Sequence, residues 1–227
     1  MTKRLCVAAI LVALGWETSR GENLNLQPDA AQNASTNAFD SRLSMSSPPP
    51  QIWANGVGEG FRRGAREFDV TAGFGLGIRD GSVHTHNVVL TTVQFGQVLT
   101  DLWGQGHWYQ GNVEMLGEAF VGAQFHPETR YLVGVAPVLR YNFATGTRWV
   151  PFVDASIGAT ATAIGRPDLG AVFEFDLQGG PGVQYFFRPN AALIFQDRYL
   201  HFSNASLYRV NKGINANTFI VGMGWFF

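Results

Sequence analysis

A histidine and a serine lie two residues apart in RYLHFSNASLYRVNKGINANTF, residues 198–219. Side chains alternate between the two faces of a β-strand, so His201 and Ser203 would share a face, with Cα atoms about 6.5 to 7 Å apart. At this spacing an imidazole can reach a serine hydroxyl, as a general base must reach its nucleophile. The pair therefore indicates an ester hydrolase, with the polar end of a strand entering a loop as the alternative.

The other residues of this strand indicate whether the pair faces lipid or the protein interior. Leu193 and Phe195 have the same parity as His201 and Ser203, which predicts a lipid-facing row with two polar groups at its rim. Polar groups are unusual in such a place unless they have a function. Asp197 shares the face but lies about 13 Å along the strand from His201, too far for a direct hydrogen bond.

The elements that must position this pair are strands, because hydrophobicity alternates with a period of two through most of the chain. In EFDVTAGFGLGIR one face is large and apolar, and the other is polar or glycine. About eight such segments are separated by Gly, Asn, Pro and Asp. They begin near residues 66, 84, 107, 130, 149, 171, 191 and 217.

The polar faces predict the interior of a barrel. Five charged side chains have that parity and would form ion pairs in a lumen: Glu114, Glu118, Arg140, Glu174 and Asp176. A parity shift before Phe120 predicts a β-bulge. Aromatic residues near the strand ends are typical of membrane girdles, and a closed barrel is the β-structure that lipid allows.

The fold class predicted is therefore all-β, an eight-stranded antiparallel transmembrane β-barrel of the bacterial outer membrane. Eight strands leave an interior filled by side chains. The terminal Phe227 resembles the assembly signal of such barrels. A soluble lipocalin-like barrel, which would also be secreted, is the alternative.

Residues 1–21 carry a basic start and a short apolar run, as in a secretory signal peptide. Residues 22–60 read as a flexible lead segment rich in Asn, Ser and Pro, and residues 61–227 as the barrel. The single cysteine, Cys6, falls in the predicted signal peptide. A net charge of −1 with 15% charged residues gives no basic stripe for nucleic acid.

The stretch HFSNASLYRVNKGIN, residues 201–215, resembles the signature of the lipid A 3-O-deacylase (PagL-like) family. The resemblance implies an eight-stranded outer-membrane barrel that removes the ester-linked 3-hydroxyacyl chain at position 3 of lipid A. It further implies a Ser-His-Glu triad on the outer face of the barrel. The likeness is sharp over residues 198–219 and only general elsewhere.

Carried over by motif, the resemblance makes Ser203 the nucleophile and His201 its general base. Asn204 would hold the oxyanion together with the main-chain N–H of Ser206, and Asn211 would lie at the site. Asn215 stands where the family has its glutamate. An Asn can accept a hydrogen bond from His Nδ1–H and fix the tautomer, but it cannot stabilise an imidazolium by charge.

The sequence thus predicts an outer-membrane esterase that acts on lipid A, on lipopolysaccharide or on a related glycolipid, without metal or cofactor. The alternative is a barrel of the same family that is weak or inactive as a catalyst and has a structural, lipid-binding or partner-binding role. A homodimer is left open. Asn215 is the residue that separates the two readings.

Overall fold

A computed structural model describes residues 61–227 of the chain. The predicted signal peptide and lead segment, residues 1–21 and 22–60, lie outside the described residues and stay predictions. Within the described part, no helix is both long and apolar enough to span a membrane.

The described residues form one antiparallel sheet that closes on itself, because each strand pairs with the next and the last pairs with the first. Ile78 at the end of the first strand pairs with Asn215 in the last. The predicted fold class is confirmed. The strands are β1 (Arg66–Ile78), β2 (Asn87–Val98), β3 (Gly111–His126), β4 (Arg130–Phe143), β5 (Trp149–Thr162), β6 (Phe173–Arg188), β7 (Ala191–Ser203) and β8 (Ile214–Phe226).

Four strands (β1, β4, β5 and β7) begin at the residues expected from the sequence, and the others shift by two to four residues. The start of β2 moves to Asn87 because Asp168, in the loop between β5 and β6, binds both His84 and His86. β8 starts early, at Ile214, because Gly213 takes a φ of 72° and Ile214 can then pair with Phe202.

The outward faces of the strands are mainly apolar. Phe74, Val135, Ile157 and Val221 are 49%, 59%, 66% and 55% exposed. Exposure of so much apolar surface to water would be unfavourable by about 25 cal/mol per Å², whereas acyl chains present no such cost. Aromatic pairs such as Phe68 with Trp225, at a centroid distance of 6.1 Å, lie toward the ends of the strands. This distribution fits a membrane-spanning barrel.

Charged side chains pair in the middle of the interior. Arg140 is 1% exposed and donates to Glu67 at 3.0 Å and to Gln94 at 2.8 Å. Arg198 donates to Glu118 at 2.7 Å. All five charged residues that the sequence placed in the lumen are buried. Arg140 and Glu118 form ion pairs, whereas Glu114, Glu174 and Asp176 accept hydrogen bonds from neutral groups.

Two apolar clusters close this network from above and below. The cluster at the end that carries Ser203 contains Leu90, Phe120 and Phe202, and the other contains Phe61, Phe186 and Phe226. Phe120 therefore points inward and is 2% exposed. The prediction of a β-bulge before Phe120 was wrong, because buried and exposed residues of β3 alternate without interruption from Glu114 up to that residue. The apolar side chain at this inward position belongs to the cluster at one end of the interior.

The Arg140 network generates a prediction about stability. Replacement of Arg140 by Met should lower the free energy of unfolding by about 3–5 kcal/mol, because Glu67 and Asp69 lose their buried countercharge. Urea unfolding of the barrel in lipid vesicles measures this change.

The matched control is Arg130→Met. Arg130 pairs with Glu128 at the surface, where the side chains are 46% and 66% exposed, so the expected change is only about 0–1 kcal/mol. Equal midpoints for the two variants would contradict a stabilising role of the interior network.

Candidate active site

The outward row of β7 brings together the residues that the sequence singled out. His201 lies opposite Leu177 on β6 and opposite Asn215 on β8. Ser203 lies opposite Phe175 on β6. The predicted pair is thus on the outer face and half-buried. Apolar side chains of β6 border it on one side, and Asn215 borders it on the other.

The imidazole of His201 has one firm partner. Its Nδ1 lies 2.6 Å from Oδ1 of Asn215. Two further contacts fix which way the Asn215 amide points, since its Nδ2 donates to the Asp80 carbonyl at 3.2 Å and its Oδ1 lies 2.7 Å from the Tyr199 hydroxyl. The oxygen, and not the NH₂ group, must therefore face His201.

This orientation determines the tautomer of His201. An oxygen facing Nδ1 accepts its proton, so Nδ1 carries hydrogen and Nε2 keeps a free lone pair. A lone pair on the nitrogen remote from the orienting residue is what a general base for a serine requires. The amide at position 215 thus supplies the orienting half of a carboxylate's role, but not its charge.

Ser203 ends β7, and its hydroxyl shares no hydrogen bond with His201 in the described structure. Catalytic hydrogen bonds are often long in proteins without substrate and shorten when the substrate binds. Phe173 and Phe175 stack edge to face beside Ser203, with ring centroids 5.3 Å apart. An acyl chain in the membrane could lie along these rings with its ester near Ser203.

The loop after Ser203 is tightly turned. Ala205 and Ser206 have φ values of 50° and 66°, in the left-handed region that residues other than glycine rarely adopt. The N–H of Leu207 donates to the Asn204 carbonyl at 2.9 Å. Within residues 61–227 the N–H of Ser206 has no acceptor, so it is free to donate to an oxyanion.

The two other asparagines have structural contacts. The Asn204 side chain is fully buried, and its amide donates to the Val210 carbonyl at 2.9 Å. Asn211 accepts the main-chain N–H of Asn204 at 2.9 Å. These bonds hold the loop closed beside Ser203, so Asn204 does not present its side chain on the outer face with the predicted nucleophile.

The buried carboxylate of Asp168, in the β5–β6 loop, binds the loop between β1 and β2. It accepts the N–H of Val83 at 2.5 Å and lies 3.0 Å from Nε2 of His86. Burial raises the pKa of the Asp168 carboxyl, but the hydrogen bonds from Val83, His86 and His84 lower it below its ordinary value. Among the described residues no group of three or more His, Cys, Asp or Glu is suited to a metal ion.

Sequence reasoning missed two residues that orient Asn215. Tyr199 has the same parity as His201, and a tyrosine two residues before the histidine on one face could have been noticed. Asp80 acts through its main-chain carbonyl from a loop 135 residues away in sequence. No local sequence pattern predicts that contact.

Comparisons with known proteins place these observations in context. A sequence profile of the family described as "Lipid A 3-O-deacylase (PagL)" matches residues 91–224. No sequence among the curated proteins matches the chain.

Two solved structures are similar to the barrel. The outer-membrane enzyme PagL gives a TM-score of 0.56 at 23% identity, over 68% of this chain and 97% of that one. Neisserial surface protein A (NspA) gives a TM-score of 0.55 at 16% identity, over 71% and 98%. Both likenesses concern the fold.

Gly213 generates a prediction about the geometry of the site. A Cβ at this position would lie 2.9 Å from Cε1 of His201, so Gly213→Ala should displace the ring. The carbon and proton chemical shifts of the His201 imidazole should change.

Gly146→Ala is the matched control, because Gly146 has a φ of 71° but nothing within 4 Å of its Cβ position. Both variants should lose about 1–2 kcal/mol of stability from the left-handed backbone, but only Gly213→Ala should alter His201. Unchanged His201 signals in both would contradict the contact.

Proposed function

We propose a function for this chain from the premise that it belongs to the lipid A 3-O-deacylase family: it is an outer-membrane esterase that hydrolyses an ester-linked 3-hydroxyacyl chain of lipid A or of a related glycolipid. The observation that carries this proposal is the 2.6 Å contact between His201 and Asn215 on the lipid-facing side, beside Ser203. An ester of a membrane glycolipid would meet this face without leaving the bilayer.

In the first half of the reaction, Ser203 Oγ attacks the ester carbonyl carbon and its proton passes to Nε2 of His201. The resulting oxyanion accepts the N–H of Ser206. A preorganised donor of this kind is worth about 3–4 kcal/mol in other hydrolases. When the tetrahedral intermediate collapses, His201 returns the proton to the departing sugar oxygen and the acyl group stays on Ser203.

In the second half, His201 takes a proton from water, which attacks the acyl carbonyl. Collapse of the second intermediate breaks the bond to Ser203 Oγ, and the hydroxyl regains its proton from His201. The fatty acid is released into the membrane. No step requires a metal or a cofactor.

Asn215 orients His201 throughout this cycle. In a serine protease, replacement of the triad aspartate by asparagine lowers kcat about 10⁴-fold through the wrong tautomer. Here the Asp80 carbonyl accepts a hydrogen bond from the NH₂ group of Asn215. The amide oxygen therefore faces Nδ1 of His201, and the unsuitable tautomer is avoided. The contribution lost is the electrostatic stabilisation of the imidazolium.

Localisation follows from the same proposal. The barrel carries its apolar surface outward, and residues 1–21 have the pattern of an export signal. We propose that the chain is exported and inserted with the loops around Ser203 at the outer leaflet, where lipid A resides.

The nucleophile generates the central prediction. The purified barrel, incubated with lipid A, should release one 3-hydroxyacyl chain detectable by mass spectrometry, and Ser203→Ala should slow release about a thousandfold or more. Ser206→Ala should keep the rate within about twofold, because its main-chain N–H remains. Equal products from Ser203→Ala and the unchanged protein would contradict catalysis by Ser203. Absence of product from the unchanged protein would favour the non-catalytic barrel.

A second prediction concerns Asn215. Asn215→Leu should lower kcat about 10²- to 10⁴-fold, because the imidazole loses the acceptor that fixes its tautomer. Asn215→Glu should raise kcat about tenfold, or about 1.4 kcal/mol, by stabilising the imidazolium. Steady-state hydrolysis of lipid A measures both.

Asn217→Leu is the control for the first change. Asn217 lies on the same face of β8 and donates to Asp197 at 2.6 Å, without contact to His201. Its variant should keep kcat, and a loss equal to that of Asn215→Leu would refute a specific role for Asn215.

A further inference from the structure

A surface groove lies between the β5–β6 and β7–β8 loops, beside the proposed active site. Its volume is about 440 Å³. Three cations line it together with Pro167, Val210 and Asn211, and all three have exposed side chains. The cations are Arg166, Arg209 and Lys212.

The two loops that form the groove are joined to each other. Leu169 and Asn211 make an antiparallel bridge, and the N–H of Lys212 donates to the Asp168 carbonyl at 3.0 Å. Asn211 also holds the main-chain N–H of Asn204, the residue after Ser203. The groove is therefore fixed in position relative to the proposed nucleophile.

The charges of the three groove cations are not neutralised by any neighbour in the part of the chain that the structure describes. None of them forms an ion pair with a carboxylate of residues 61–227. The one carboxylate held within these loops, Asp168, is 1% exposed and engages Val83, His84 and His86 on its other side. Like charges collected in one groove repel one another, and an anion bound among them relieves that repulsion.

The residue types indicate which anion fits. An arginine guanidinium presents paired N–H donors that match the oxygens of a phosphate, and a lysine adds a point charge. Two arginines and one lysine around a single groove are suited to a phosphate group rather than to a neutral sugar. The groove lies at the loop end of the barrel, the level at which lipid headgroups meet water.

We propose that Arg166, Arg209 and Lys212 bind the phosphate of a phosphorylated glycolipid and so place its acyl ester at Ser203. This inference rests on the proposed function for the identity of the ester. The groove fixes the headgroup, and the apolar row of Phe173, Phe175 and Leu177 accompanies the acyl chain. The enzyme would select phosphorylated glycolipids over those without phosphate.

The test measures binding separately from hydrolysis. Ser203→Ala barrels in detergent micelles are titrated with lipid A that carries both phosphates, with chemically dephosphorylated lipid A, and with inorganic phosphate as competitor. The triple variant R166Q/R209Q/K212Q should weaken binding of phosphorylated lipid A at least about tenfold. It should leave the weaker binding of the dephosphorylated lipid unchanged.

The matched control is R62Q/R63Q/R66Q, which removes three exposed cations at the opposite end of the barrel. It changes the net charge equally and should keep the affinity for phosphorylated lipid A. The proposal would be overturned if the groove variant bound phosphorylated lipid A as tightly as the Ser203→Ala barrel with its groove intact. It would also be overturned if the control variant lost as much affinity as the groove variant. Full displacement of lipid A by inorganic phosphate at equal concentration would also overturn it, because the headgroup would then add nothing.

Hydrolysis distinguishes this inference from the proposed function. With Ser203 intact, the groove variant should raise KM for phosphorylated lipid A about tenfold and keep kcat for an uncharged p-nitrophenyl ester. If the protein with Ser203 intact hydrolyses neither substrate, the esterase proposal fails while the binding result still decides the groove.

Discussion

Hydrocarbon offers no hydrogen-bond partner to a backbone N–H or C=O, so a sheet in a bilayer must pair every strand on both sides. In this chain the pairing of β1 with β8 meets that requirement. The outer surface of the sheet then contacts lipid. A polar side chain on that surface must form its hydrogen bonds with neighbours on the same face. His201, Asn215 and Tyr199 satisfy one another in this way, at distances of 2.6 and 2.7 Å.

Closure also separates the chemistry of the two faces. Arg140 and Arg198 pair with four of the carboxylates inside the barrel. The wall of the sheet stands between all the interior carboxylates and His201. None of these interior carboxylates can therefore reach the His201 imidazole. The interior network lies within the barrel wall, whereas the candidate site consists of residues that face outward or lie in the loops. A substitution among the interior residues therefore does not alter a residue that touches His201.

The fold was largely predictable because a period of two, repeated over eight segments, fixes which side chains face lipid. The same parity placed His201 and Ser203 outward, and it also implies that Asn204, the next residue, turns inward. The two apolar clusters at the ends of the interior were harder to predict, since Phe120 faces a lumen whose middle is polar. The contact of Asn215 with Asp80 could not be predicted, because it joins a loop to a strand 135 residues later.

That contact depends on the closing seam of the barrel. Asn215 lies between its two neighbours in the sheet, Ile78 of β1 and His201 of β7. Asp80 follows Ile78 by two residues, so the pairing of β1 with β8 carries its carbonyl to the NH₂ group of Asn215. In a carboxylate triad one residue both orients the histidine and stabilises its charge. Here the orientation comes from the closure of the sheet, which allows a neutral amide, less costly than a carboxylate to bury, to hold the Nδ1–H tautomer of His201.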